Sequence, residues 1–276
     1  MLYVCATPIG NLDDVTTRVL ETLRAVDLIA AEDTRHTRKL LARYDIHTPT
    51  TSLFAHNEAE KTAHLLARLR AGLDVALVTD AGLPGVSDPG LRLVAAAAAA
   101  GLALTVLPGP SAPVTAVVAS GLAGDDGFRF VGYLPRRAVD LRAAWDAWRR
   151  SGGLVVAFET GHRLAASLAR LAALAPDAPG AVCRELTKLH EEVARGTVAE
   201  LAVRFPGEVK GEITLVVNAG LPAGVDELAG ERARAAAAAL RLAGLSRRDA
   251  AAALAVCLGI RRNEAKRMVD EVSPDG

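Results

Sequence analysis

Two carboxylates and three glycines share the loop of the stretch VTDAGLPGVSDPG, Val78 to Gly90. Glycines let main-chain N–H groups approach a ligand, and loops of this kind at helix starts commonly hold phosphate. That reading fails here on two counts. The spacing is neither G-x-G-x-x-G nor G-x-x-x-x-G-K-[ST]. The loop also carries Asp80 and Asp88 and no Lys or Arg. A carboxylate beside a bound phosphate is repelled by roughly 1–4 kcal/mol at surface-like dielectrics. The chemistry expected of the loop is contact with a neutral or partly cationic ligand. A structural reading stands beside it, with Asp88 as cap of the next helix and Pro89 at its first position.

Such a loop needs a strand to leave and a helix to enter. Asp74 to Thr79 is an apolar run that reads as a short buried strand, and Leu91 to Ala100 reads as a helix. The same grammar recurs at TPIGNLDD (7–14), where Pro8 and Gly10 make a tight turn and Asp13 or Asp14 caps a helix. It recurs again at LPGPSA (107–112), with Ser111 as N-cap. Strands at 2–6, 27–32, 51–55, 74–79 and 102–107 alternate with helices at 14–26, 34–45, 59–69, 91–100 and 112–120. This alternation implies an α/β fold with a mostly parallel, helix-covered sheet. In such a sheet the ligand crevice lies at the carboxyl ends of the strands. All three Gly/Pro-rich turns fall on that edge.

The second half changes pattern after GLAGDDG (121–127). Strands are expected at 128–134, 153–159, 180–186, 191–197 and 211–218, with helices at 139–150, 164–174 and 198–204. Only TKLH separates two of these strands, so part of the second sheet is expected to be antiparallel. A linker-like AGLPAGVDE follows Asn218, and 228–270 reads as three short helices. The expected domains are 1–121 and 122–220, both α/β, and an all-helical 226–276.

Composition bounds the rest. The chain has 276 residues, is 51% hydrophobic, and carries no formal net charge, so contact with nucleic acid must come from local patches. Cys5, Cys183 and Cys257 are far apart with no C-x-x-C pair, which argues against structural zinc and for a reducing, cytoplasmic setting. A strand begins at once, so no secretory signal is expected. The uncharged stretch Leu93 to Ala112 is broken by Gly101, Pro108, Gly109 and Pro110, so no membrane span is expected.

Six segments in order, TPIGNLDD, IAAEDTRHTRKLL, DAGLPGVSDPG, PGPSA, FETGHR and ELTKLHEE, resemble the tetrapyrrole-methylase superfamily, and most closely its small-subunit ribosomal RNA branch. The similarity runs from Leu2 to about Val217, and the tail resembles that branch's C-terminal helical domain. The resemblance implies two α/β domains with S-adenosylmethionine in the cleft between them, a homodimer, and methyl transfer to the ribose 2′-OH of a decoding-centre cytidine in small-subunit rRNA or the assembled subunit. It implies no metal. A sulfonium, an ammonium and a carboxylate, with no phosphate, suit an acid-bearing loop. Carried over by position, the cofactor contacts are Pro8, Ile9, Gly10, Gly82, Leu83, Val86, Ser111, Ala112 and Phe158. The family usually has Thr where this chain has Leu83, so any contact there is apolar or through backbone.

For methyl transfer, alignment supplies most of the acceleration, and a base helps the hydroxyl lose its proton. The candidates are Asp33, Glu159, His162, Glu185 and Lys188, and for each a structural ion pair or a helix cap is the competing reading. Asp33, Lys188 and Glu185 are taken as the catalytic set, with Asp33→Asn expected to lower turnover and spare cofactor affinity. Substrate contact is assigned to Arg35, Arg38, Arg136, Arg137, His162 and Arg163. Lys39 and His36 lie beside the first two, and the loop at Arg136 is shorter than the family's. Arg241 to Arg267 adds seven Lys/Arg against two Asp/Glu. There SRRDAAAALAVCLG and RRNEAKRMVDE, joined by GIR, resemble a helix-turn-helix. Two other functions remain open on sequence: methylation of a corrin or other tetrapyrrole, and a ligand-sensing nucleic-acid-binding regulator.

Overall fold

The computed structural model describes residues 1–54, 56–124, 127–220, 225–258 and 262–271. Asp125 and Asp126 of the expected boundary, 221–224 of the linker and the GIR turn at 259–261 lie outside them. The first half alternates as β1 (Leu2–Cys5), α1 (Thr17–Ala25), β2 (Leu28–Ala31), α2 (Thr34–Arg43), β3 (Thr50–Ser52), α3 (Glu58–Arg70), β4 (Val75–Val78), α4 (Leu91–Ala99), β5 (Leu104–Leu107) and α5 (Ala112–Ser120). The five strands form one sheet in the order β3-β2-β4-β1-β5, with every pair parallel.

β4 shows why so short an apolar run makes a strand. All four residues are buried, and the period of two sends them to opposite faces. Ala76 and Val78 join Val19 and Leu23 of α1 and Leu40 and Leu41 of α2. Val75 and Leu77 join Leu65 and Leu69 of α3 and Leu93 and Ala97 of α4. A strand covered on both faces carries no polar alternation.

The second half contains β6 (Phe128–Tyr133), α6 (Ala138–Ser151), β7 (Leu154–Thr160), α7 (Gly161–Ala172), β8 (Pro179–Arg184), β9 (Glu192–Thr197), α8 (Val198–Arg204) and β10 (Glu212–Asn218). Its sheet runs β6-β7-β10-β8-β9, with β6–β7 parallel and the other pairs antiparallel. α7 begins three residues before the expected Leu164, directly from β7. Gly161 permits this, because a Cβ there would overlap the Val209 carbonyl. α5 packs Ala116 and Val117 against Leu154, Val156, Ala181 and Val216 of this second sheet.

The chain divides into two compact units. Met1–Arg142 with Leu154–Asn218 holds both sheets; Ala143–Gly153 with Ala219–Gly276 is the other. The second contains α9 (Val225–Leu242), α10 (Arg247–Leu258) and α11 (Arg262–Glu271), packed around Ala237, Ala250, Leu254, Ala265 and Val269. Ser246 caps α10, accepting from the Asp249 N–H at 3.1 Å. Among the described residues no helix is long and apolar enough to cross a membrane.

Candidate active site

The three Gly/Pro-rich turns meet because β1 lies between β4 and β5. The Thr7 N–H donates to the Gly82 carbonyl at 2.9 Å, and the Gly82 N–H donates back to the Thr7 carbonyl at 3.0 Å. Thr7 Oγ1 also donates to the Thr79 carbonyl at 3.0 Å. Gly82 makes this bridge at φ +80°, where a side chain is strained. The third turn closes in through Gly109, where an added Cβ would stand 2.9 Å from Ala6 Cβ.

Together with residues of β7, β8 and β10, these turns enclose a cleft of about 330 Å³. Ile9, Leu83, Val86, Ala112, Phe158 and Leu186 give it apolar walls, and Glu32, Asp80 and Asp88 place three carboxylates on its lining. The structural reading of Asp88 is overturned. The first amides of α4, Gly90 N–H at 2.9 Å and Arg92 N–H at 3.3 Å, donate to Glu58 Oε1, and Gly90 holds the cap position. Glu58 thus does the capping, and the Asp88 carboxylate is left to face the cleft. Ser111 does sit at the cap position of α5, but its side chain makes no cap bond and it too lines the cleft.

The acid cluster is held by backbone. Asp80 Oδ1 accepts the Asp33 N–H at 3.1 Å, and Glu32 Oε2 accepts the Asp80 N–H at 3.3 Å. Among the described residues no ion pair involves Glu32, Asp80 or Asp88. Burial, then the charges of Glu32 and Asp80, push Asp88 up to about 7. Burial is also the main reason the Glu32 carboxyl is raised, with the Asp80 amide opposing and the charges of Asp80 and Asp33 adding to it. A half-closed site with uncompensated negative charge favours a cationic guest. The described residues offer no cluster of three or more ligands suited to a metal ion. Cys183 on the wall is no nucleophile, because burial pushes its thiol up to about 11.

The opposite rim is a set turn. Glu185 and Thr187 lie in left-handed backbone, at φ 52° and 65°, a conformation that persists only where surroundings enforce it. Lys188 Nζ donates to Glu185 Oε1 and Glu212 Oε2, both at 2.9 Å, and the Asn11 N–H donates to Thr187 Oγ1 at 3.0 Å.

The family described as Tetrapyrrole (Corrin/Porphyrin) Methylases matches residues 1–202. The chain is 40% identical over 278 residues to ribosomal RNA small subunit methyltransferase I of Synechocystis sp., with 100% of this chain and 99% of that protein covered. The protein of the same name from Micromonospora olivasterospora is 46% identical over 228 residues, covering 82% and 72% of the two chains. This chain belongs to the ribosomal RNA small subunit methyltransferase I family. Its fold is that of the wider superfamily. A uroporphyrin-III C-methyl transferase from Thermus thermophilus, solved as a complex with S-adenyl homocysteine, superposes with a TM-score of 0.55 at 19% identity, over 79% of this chain and 96% of that one.

Within this member of the methyltransferase I family, Ile9, Gly82, Leu83, Val86, Ser111, Ala112 and Phe158 all line the cleft. Pro8 and Gly10 do not. Pro8 is buried, and Gly10 serves the opposite rim, since a Cβ there would meet Lys188 Cγ at 2.6 Å and the Leu186 carbonyl at 2.7 Å. The three residues taken as catalytic are engaged elsewhere. Asp33 caps α2, accepting the Arg35 N–H at 2.8 Å, and pairs with the Arg35 guanidinium at 2.8 Å. Those side-chain and backbone bonds from Arg35 hold its carboxyl well below the usual range, so it is a poor base. Glu185 is held low by the Glu212 amide and then by Lys188. Burial opposes charge on Lys188, yet its bonds to Glu212 and Glu185 raise it, so it stays an ammonium.

Glu159 lies on the cleft wall, but its side chain has no exposed surface. It pairs with Arg163 Nε at 3.3 Å, and Arg163 Nη2 donates to the Leu134 carbonyl at 2.7 Å. Arg163 is therefore internal bracing and not a free RNA contact. Arg137 is an exposed partner of Asp140 at 3.2 Å. Arg35, Arg38 and Arg136 are exposed, and His162 Nε2 lies 3.5 Å from Thr160 Oγ1. Sequence reasoning missed Glu32 and Tyr133 of the lining. Glu32 directly precedes Asp33, and the half-buried residue just after β2, not the cap of α2, lines the cleft.

Proposed function

We propose that the chain transfers a methyl group from S-adenosylmethionine to small-subunit ribosomal RNA, with a decoding-centre cytidine ribose 2′-OH as acceptor. The observation that carries this reading is the cluster of three carboxylates, Glu32, Asp80 and Asp88, that have no ion-pair partner among the described residues and share the cleft lining with Ile9, Leu83, Val86, Ala112 and Phe158. S-adenosylmethionine supplies an activated methyl on a positively charged sulfur. Glu32, Asp80 and Asp88 would hold its positive end, and Ile9, Leu83, Val86 and Ala112 its apolar surface. The bridged turns at Thr7 and Gly82 are already in place, so little ordering is needed on binding. An Asp88 Oδ atom takes the proton of the acceptor hydroxyl. In the cofactor-free chain burial and the neighbouring acids push this carboxyl up to about 7, and a bound cation favours the ionised form that accepts the proton.

Incubation with methyl-labelled S-adenosylmethionine and free rRNA, intact small subunits or a tetrapyrrole tests the reading. Label recovered as 2′-O-methylcytidine is expected; label in the tetrapyrrole alone would overturn it. Family membership and the sequence resemblance support a homodimer working where ribosomes are, in the cytoplasm, and light scattering checks the dimer.

RNA needs cations, and the seven Lys/Arg against two Asp/Glu between Arg241 and Arg267 provide a local excess. Each phosphate contact contributes about 0.7–0.9 to the slope of log affinity against log salt. Joint neutralisation of Arg248, Lys266 and Arg267 is expected to flatten that slope by about two, and truncation after Asn218 by at least as much. A slope unchanged in both variants would remove the tail from RNA binding.

A further inference from the structure

We infer that Tyr133 is the platform on which the base of the acceptor nucleotide stacks, an assignment that rests on the RNA substrate proposed above. β6 loses register with β7 between Phe130 and Tyr133. The residue that allows the break is Gly132 at φ +68°. Bulges of this kind re-aim a side chain. Here the bulge brings Tyr133 opposite Phe158, with ring centroids 5.9 Å apart at an interplanar angle of 64°. Phe158 is itself braced edge-on by Phe130 at 4.9 Å. The bulge also lies over the acid loop, since a Cβ on Gly132 would stand 3.6 Å from Ser87 Oγ.

The braced ring is left open. Tyr133 belongs to the cleft lining, yet 55% of it is exposed. Among the described residues its hydroxyl makes no hydrogen bond, so no internal polar partner explains where the ring is held. A cleft of about 330 Å³ is at the small end for a ligand pocket, roughly 300–1,000 Å³, and one cofactor-sized molecule fills it. The acceptor nucleotide must then approach at the mouth, where Tyr133 is. The cleft wall beside it carries carboxylates that repel RNA phosphates, so an uncharged ring is the surface there that a nucleotide can use. Every nucleobase offers a π-face to such a ring.

Tyr133→Ala and Tyr133→Phe in the full chain test this. Removing an aromatic platform for one base weakens binding by about 5- to 150-fold. The alanine variant is expected to lose that factor in affinity for small subunits and in kcat/KM at saturating cofactor. Calorimetric affinity for S-adenosylmethionine should stay within twofold, and the phenylalanine variant should restore both losses. A matching loss of S-adenosylmethionine affinity would give the ring to the cofactor and overturn the assignment. Unchanged subunit affinity would overturn it as well. If the unsubstituted chain transfers no methyl to subunits but does bind them with a Tyr133-dependent affinity, the catalytic reading fails and the platform stands.

Discussion

Asp88→Asn is expected to slow methyl transfer by about 10²- to 10⁴-fold, the usual contribution of a positioned base, in a chain that remains folded. The sign of the pH effect follows from the direction of the shift. Asp88 is raised from 3.8 to about 7, so below 7 it is protonated and cannot accept a proton. kcat/KM for the cofactor should rise with pH through about 7, since that quantity reports the free enzyme. A bound cation stabilises the carboxylate, so the limb in kcat should lie at lower pH than the limb in kcat/KM. Stability moves the other way. An acid whose folded pKa is raised contributes stability below its unfolded value of 3.8 that is lost as pH climbs through about 7. The asparagine variant removes that loss, so at pH 8 it should melt no lower than the parent chain. Slow transfer with an intact melt and no limb near 7 is the expected triad of results. Parental rate and an unchanged limb would put the base elsewhere.

The sheets and the rim were legible because they rest on local rules. Four buried residues such as Val75 to Val78 have little choice but a two-sided strand, and the Gly/Pro turns after β1, β4 and β5 must lie together once β1 sits between its neighbours. Side-chain roles were less legible because they depend on partners distant in sequence. Asp88 looked like a cap until Glu58, thirty-odd residues away, took the α4 amides. Asp33 could be a base or a cap on sequence, and Arg35 two residues on claims both its oxygens. Lys188 could act on a substrate or sit in an ion pair, and Glu212 holds it. Tyr133 was hidden by a bulge, because nothing in FRFVGYL says which ring the extra residue turns toward the cleft. The residues named by resemblance gather on one cleft wall for the same reason that the strands were easy: backbone at strand ends sets their place. The state of the charged side chains was harder to read, because ion pairing decides it.

The buried pair tests the opposite kind of assignment. Glu159→Ala and Arg163→Ala should each cost about 3–5 kcal/mol, because removing one partner strands the other. Glu159 is enclosed on every side: Oε1 takes the Thr160 N–H at 2.8 Å and faces Arg163 at 3.3 Å, while Oε2 takes the Ser167 hydroxyl at 2.6 Å. Arg163 passes the anchor on to the Leu134 carbonyl, next in the chain to Tyr133. Loss of either partner therefore loosens β6 where the proposed platform stands. In a unit of this size the expected drop in melting temperature is on the order of 10 °C. The double variant should fall well short of the summed single losses, since neither charge is then left alone. Glu159 acting as a base would give a different pattern, with turnover lost at an unchanged melt and Arg163→Ala affecting stability only. Parallel losses of stability in both single variants, with residual turnover tracking the folded fraction, assign the pair to bracing and leave the proton to Asp88.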